Sequence, residues 1–445
     1  MKYFTKCRIK VHIMSAIDRS IPKIIITSAD GSKTVEISKL VQTMSYFEDL
    51  FSPMITVHMV VVSTGISNQQ SIYQSLPIRG GERVKITVPA NSESNIDLER
   101  NDLFVQSVSN YMSGPEREVF NLMLVTREAI SNETSRVGKR YSKESKISDN
   151  VKKIIKEELE TDKKVNVDET MNPYGFLGNM KKPFTILTWL ASKSVPLGAE
   201  KSPGGTGGYF FYETKDGYNF RSIDGLASSE PFSEKYYYRP GTINTTDTDK
   251  DYNILEYKTT LNNDLIKNLE RGAYCSQRMY FNPLDFTFTP QSKGLFSQNT
   301  YVDKTEFTGK PLEFTMPPVD GKGKSLGDLP SRLITGVVDI GTTELNKQES
   351  TTDQNADQML IHSQAMMRYN VMFTSKVEMT IPLNTNLTAG TLIQCVFPQI
   401  TTKKTKEADD ELAGLYMIKE LVHFYNVDAS YTKLKLVKDT FGKKN

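Results

Sequence analysis

The strings best suited to chemistry in this sequence are rich in glycine. "KSPGGTGGYFFYETKDGYNF" (Lys201–Phe220) sets four glycines ahead of an aromatic run. A phosphate loop uses such glycines to bring backbone N–H groups onto oxyanions, and it opens a helix; a Walker loop also needs Gly-x4-Gly-Lys-Ser/Thr. Here the glycines lead into "YFFYETK". Two β-rich runs, "GYFFYET" and "YNFRSID", flank Lys-Asp-Gly, which makes Asp216-Gly217 a hairpin turn and the glycines its flexible entry. "GKSLG" (Gly323–Gly327) has the Gly-x-Ser-x-Gly form of a nucleophile elbow. An elbow joins a buried strand to a helix, and this string lies in polar sequence with neither, so Ser325 reads as a loop residue.

Other constellations are absent or incomplete. His12, His58, His362 and His423 share no metal spacing, and Cys7, Cys275 and Cys395 form no Cys-x-x-Cys pair. No pair among the 53 acidic residues is marked for acid–base work. The arginines of "RGGER" (79–83) could touch phosphate, but the string reads better as a strand-entry turn. "GKGKS" and "TTKKTK" read as solvated loops. The expectation is a non-enzyme with no catalytic, metal-binding or cofactor-binding residue and no cofactor.

The elements that would position any site are mainly strands. At 445 residues the chain exceeds one growing core and implies two to four domains. Tyrosine and phenylalanine, 21 each, favour β-structure. With 55 basic against 53 acidic side chains, bulk electrostatic binding of nucleic acid is not expected. Three scattered cysteines fit a reducing cytoplasm. No signal-peptide core or bilayer-length apolar run stands out, so neither secretion nor membrane insertion is expected.

Along the chain, residues 1–130 read as strands, with "ISKLVQTMSYFEDLFSP" (37–53) balanced between strand and helix and placed on the strand side. After the polar stretch 131–150, "VKKIIKEELE" reads as a helix capped by Ser148 or Asp149, with Val151, Ile154, Ile155 and Leu159 on one face. Pro183 opens a second helix, in which Trp189 is expected as a core anchor. A short helix with Leu265, Ile266 and Leu269 should stop at Gly272. Residues 291–365 read as a loop-rich insertion with little core, and the chain is expected to be β again from Arg368.

An internal echo organises the rest. "RGGERVKITVP" and "TAGTLIQCVFP" share one spacing from Gly81 to Pro89 and from Gly390 to Pro398. Val84, Ile86 and Val88 match Ile393, Cys395 and Phe397 on the inward face of a strand. Further on, Leu103, Leu122, Leu124 and Val125 match Leu415, Leu434, Leu436 and Val437 at one offset. Any two antiparallel sheets share alternation; the equal glycine-to-proline spacing is what argues for duplication. Gly81, Pro89, Gly390, Pro398, Asp216 and Gly217 are therefore the candidate structural turns. Gly81 and Gly390 are expected at positive φ.

"FSPMITVHMVVVS…LPIRGGERVKI", "KPFTILTWLASKSVP", "GGYFFYETKDGYNFRSIDGL" and "GLYMIKELVHFYN…YTKLKLVKD" together resemble the baseplate hub protein of contractile-tailed phages of the T-even type. The resemblance covers most of the chain and carries no catalytic motif. It implies an α+β, mainly β fold: two tandem tail-tube-like antiparallel β-barrel domains with inserted α+β and loop-rich domains. On this division, 1–130 is tube-like domain 1 and 131–245 an α+β domain with helices and a hairpin. Tube-like domain 2 comprises 246–290 and 366–445, interrupted by the 291–365 insertion.

The resemblance further implies a homotrimeric structural virion protein, assembled in the host cytoplasm and placed in the tail baseplate. There it would join the sixfold tail tube to the threefold cell-puncturing spike. Implied partners are the central spike protein, the tube protein or its initiator, and the tape measure protein. The rival readings are a receptor-binding or fibre-tip tail protein and a cell-wall hydrolase.

Overall fold

A computed structural model describes residues 22–64, 72, 76–88, 96–97, 103–114, 117–197, 206–239, 252–261, 264–290, 294–297, 305–310, 326–339, 358–399 and 407–440. His12, Cys7, Pro89, Gly204, Gly205 and Ser325 lie outside the described residues, as does the side chain of His362.

The amino-terminal half is built from strands β1 (Lys23–Thr27), β2 (Thr34–Glu36), β3 (Val41–Asp49), β4 (Thr56–Ser63), β5 (Arg83–Val88), β6 (Ile96–Asp97), β7 (Leu103–Ser113) and β8 (Glu118–Thr126). The segment that fits both helical and strand spacing is strand β3. Met44, Tyr46 and Glu48 point inward at every second position, the period of a pleated strand.

A middle α+β unit follows: α1 (Arg127–Thr134), β9 (Arg140–Tyr141), α2 (Ile147–Glu158), β10 (Val165–Val167), β11 (Phe176–Leu177), α3 (Pro183–Ala191), β12 (Tyr209–Thr214), β13 (Gly217–Ser222) and α4 (Ile223–Ala227). Helix α2 buries Ile147, Val151, Ile154 and Ile155 against α3 and the β12–β13 hairpin. It begins earlier than expected, at Ile147, with Lys146 as N-cap and no side-chain cap bond; Ser148 is buried instead. Trp189 is also corrected. It is 39% exposed, because Phe184, Ile186, Leu187 and Leu190 supply the buried face of α3. Its ring meets Tyr174 and Phe176 edge-on at 5.5 and 5.6 Å.

The carboxy-terminal half contains β14 (Lys235–Tyr237), β15 (Glu256–Leu261), α5 (Leu265–Glu270), β16 (Cys275–Asn282), β17 (Thr287–Phe288), β18 (Leu295–Ser297), β19 (Arg332–Val337), α6 (Gln358–Val371), β20 (Ser375–Pro382), β21 (Leu392–Val396), β22 (Gly414–Asn426) and β23 (Ser430–Lys438). Two expectations are corrected here. Strand β16 pairs with β17, β18 and β19 in a separate four-stranded sheet, so of 246–290 only β15 enters the main sheet. Residues 358–371, expected as loop and then strand, form helix α6; Met367 and Val371 pack with Phe296 and Phe307 in a small core.

The strand order exposes the duplication. The main sheet runs β15-β20-β23-β22-β3-β4-β8-β7-β5-β1-β2, with β21 bridging β22 and β14. Read within each half, β3-β4-β8-β7-β5-β1 and β15-β20-β23-β22-β21-β14 are the same order. The first five members match in pairing direction. The sixth does not: β1 is antiparallel to β5, whereas β14 is parallel to β21.

The register also repeats. Val105 pairs with Leu124 and Ile418 with Leu436, and each pairing is followed by a one-residue bulge, at Gln106 and Lys419. This corrects one alignment. The counterpart of fully buried Leu103 is Tyr416, not Leu415, since Val84 pairs with Leu103 and Ile393 with Tyr416. A single core containing Ile26, Met59 and Phe120 with Ile381, Tyr416 and Leu436 spans both halves. Among the described residues the pairings form an open path and do not close into a ring. The fold is mainly β with large antiparallel sheets. No described helix is long and apolar enough to cross a membrane.

Candidate functional site

Three units meet around the place where β3 of the first half pairs with β22 of the second, in register from Thr43↔Asn426 to Asp49↔Glu420. The alternation of β3 turns Glu48 into this junction. Its carboxylate accepts the Tyr46 hydroxyl at 2.8 Å, the Lys215 N–H of the middle unit at 2.7 Å, and the Ala389 N–H of the second half at 2.9 Å. Burial pushes its pKa up to about 7 against these donors. His423 stacks on Tyr46 with centroids 5.8 Å apart, and burial pushes its pKa down to about 3, so it stays neutral. Around them Leu50, Phe210, Tyr212, Leu226, Ala389 and Met417 form an apolar cluster drawn from all three units.

Two further buried charge groups fasten the same units. Lys163 reaches Glu128 at 2.6 Å and Glu213 at 2.5 Å. Glu213 also accepts the Ile55 N–H and the Thr126 hydroxyl of the first half, at 3.1 and 3.0 Å. Burial raises the pKa of Glu213; at Glu128 burial acts the same way, but the Lys163 charge and hydrogen bond outweigh it and hold the pKa low. Arg368 of α6 is fully buried and lies 3.2 Å from both Asp224 of the middle unit and Asp439, just past β23. It donates to the Glu306 carbonyl at 2.9 Å and covers the Phe307 ring.

The glycine-rich entry is held by this second knot. Asp224 accepts the Thr206 N–H and hydroxyl at 2.6 and 2.7 Å, Gly207 N–H donates to Gln364, and Gly208 N–H donates to the Ser194 carbonyl. The backbone donors at 206–208 thus face protein acceptors. The tip of the following hairpin is Lys215–Asp216, and Gly217 opens β13 at φ +125°, where a Cβ would lie 2.2 Å from the Lys164 carbonyl.

Gly81 and Gly390 occupy equivalent settings, at φ +88° and +87°. Gly81 N–H donates to Val105 O while Val105 N–H donates to Glu82 O; Gly390 N–H donates to Ile418 O while Ile418 N–H donates to Thr391 O. Surroundings differ. A Cβ at Gly81 meets nothing within 4 Å, whereas one at Gly390 would lie 2.6 Å from the Tyr212 hydroxyl. Replacing either by valine is expected to cost about 1–3 kcal/mol through backbone strain, with the larger loss at Gly390. Denaturant melts of the two variants check that order. Pro398 follows β21 and forms a bridge with Ala408.

His58 is an exposed position of β4 beside Phe47. Cys275 and Cys395 are buried free thiols; burial pushes the Cys275 pKa up to about 11 and raises that of Cys395 as well. Among the described residues no group of three His, Cys, Asp or Glu side chains could hold a metal. The charged residues at these junctions escaped the sequence reading. For Glu48 a signal existed: a carboxylate at an inward position of the alternating run "MSYFED". Arg368 offered none.

What Glu48, Glu213 and Arg368 share is position: the bonds of each join elements of different units. No family model and no curated protein matches the chain. Solved structures do. A tail protein from Neisseria meningitidis superposes with a TM-score of 0.52 at 10% identity, over 94% of this chain and 97% of that one. The chain has the fold of a phage tail protein. The 43 kDa tail protein of prophage MuSo2 from Shewanella oneidensis agrees, with a TM-score of 0.51 at 9% identity over 94% and 98% of the two chains. That likeness accords with the hub resemblance of the sequence segments.

Proposed function

We propose that the chain is a structural component of a phage tail, the homotrimeric baseplate hub that adapts a sixfold tail tube to a threefold spike. One observation supports it most: two halves of one chain share a strand order, a register, a bulge and a glycine turn. Each half then serves as one tail-tube-like β-barrel domain, and three chains present six similar surfaces. Closed cyclic symmetry satisfies such repeated interfaces without leftover edges. Proposed partners are the central spike protein on the threefold side and the tube protein or its initiator on the sixfold side, with the tape measure protein in the passage. In this role the chain is not an enzyme, uses no cofactor, and binds neither membrane nor specific nucleic acid. It assembles in the host cytoplasm and resides in the virion baseplate. Native mass measurement of the purified chain is expected to give three chain masses; a monomer at all concentrations, or a hexamer, would refute the trimer.

A further inference from the structure

The junction between the two halves has a counterpart that a single chain leaves open. Strand β22 pairs with β21 through Gly414–Met417, and then its outer stretch, Glu420–Asn426, receives β3 on that same side. Its equivalent β7 pairs with β5 only through Leu103 and Phe104. Beyond that point no described strand pairs with that side of β7. The equivalent of β3 is β15, which pairs with β20 on one side and with no described strand on the other. The two open edges lie on opposite sides of the β3–β22 junction in the strand path, β15 three strands from β22 and β7 three strands from β3.

Burial follows the same logic. From Lys419 to Asn426 every residue of β22 is buried or half-buried, whereas from Gln106 to Ser113 every residue of β7 except Val108 is exposed, Met112 by 63%. Met44 and Tyr46 of β3 are buried, and their counterparts Tyr257 and Thr259 of β15 are only half-buried. An exposed edge of this length is an invitation to pair.

We infer that β15 of one copy pairs antiparallel with the outer half of β7 of the next copy, reproducing between chains the β3–β22 junction that exists within each. This deepens the proposed function and rests on it for the number of copies. The register can be carried across. Both β7 and β22 are aligned on their hairpin partners, which makes Ser109 the counterpart of Val422 and, past an extra residue at Asn110, Met112 the counterpart of Phe424. Aligning β3 and β15 on β4 and β20 makes Thr260 the counterpart of Phe47 and Lys258 that of Ser45. Because Val422 pairs with Phe47 and Phe424 with Ser45, Ser109 of one copy faces Thr260 of the next, and Met112 faces Lys258. The pairing is head-to-tail, so it propagates around a ring.

Cysteine pairs test the register, since directly opposed residues bring their Cβ atoms to about 4.5–5.5 Å and a short bismaleimide spans that gap. Ser109→Cys with Thr260→Cys, and independently Met112→Cys with Lys258→Cys, are expected to give denaturation-resistant bands at two and three chain masses. The single variants, the unsubstituted chain, and Ser109→Cys combined with Glu256→Cys, four residues out of register, are expected to give none. All these positions are exposed, and native mass is recorded for each variant. A trimer in which neither matched pair cross-links overturns the strand pairing and leaves the hub reading standing. A chain that stays monomeric overturns both.

Discussion

Arg368→Ala is expected to be the most damaging single substitution, costing about 3–5 kcal/mol, the range for breaking a buried ion pair from one side. Arg368 is fully buried between Asp224 and Asp439, and it also holds the Glu306 carbonyl. Its loss leaves two carboxylates facing each other without a cation. Asp439 keeps the Thr308 N–H and hydroxyl at 3.0 and 2.6 Å, and Asp224 keeps Thr206, but neither set supplies charge. The three elements released are α6, the middle unit and the end of β23. The triple variant Arg368→Met, Asp224→Asn, Asp439→Asn should recover much of the loss, because it removes the uncompensated charges with the arginine. Denaturant titration of the two variants decides. Equal losses would place the cost in packing and not in charge.

The second large effect is a pH dependence at Glu48. Its pKa is raised from 4.5 to about 7 in the folded chain, chiefly by burial, so between those values the folded state holds a proton that the unfolded state has released. Stability from this group is fully present below about pH 4.5 and is lost as pH rises through 7. The interval corresponds to about 3 kcal/mol. Among the groups facing it, Lys215 favours the ionised form, Tyr46 donates to it, and His423 remains neutral. Glu213 is raised in the same sense, so the unsubstituted chain alone does not isolate Glu48. Glu48→Gln does. Relative to that variant, the unsubstituted chain is expected to lose about 3 kcal/mol between pH 4.5 and 8. Parallel stability curves would contradict the assignment.

Much of the fold was legible because period and punctuation are local properties. Alternation in "MITVHMVVVS" and "LYMIKELVHFYN" marks β4 and β22, Pro183 marks the start of α3, and Asp216-Gly217 marks the hairpin. The duplication was legible through glycine, since Gly81 and Gly390 must both adopt positive φ. What escaped depends on long-range pairing. Nothing in "CSQRMYFN" says that β16 leaves the main sheet for β18 and β19. An extra residue at Asn110, which the second hairpin lacks, displaced the alignment of Leu103 onto Leu415, because one added residue shifts all of β7 against β22 once β8 and β23 are matched. Trp189 was misplaced because α3 has more apolar residues than its buried face can take. Arg368 was invisible for the same kind of reason: its partners come from residues 71 and 144 positions away.

The measurement that bears most directly on the hub is an averaged image of the intact tail at a resolution that traces strands. Three copies should surround the axis, with the half containing residues 1–130 alternating around the ring with the half containing 366–445, and β15 of each copy beside β7 of its neighbour. Six copies, a single copy, or the two halves stacked along the axis would contradict it.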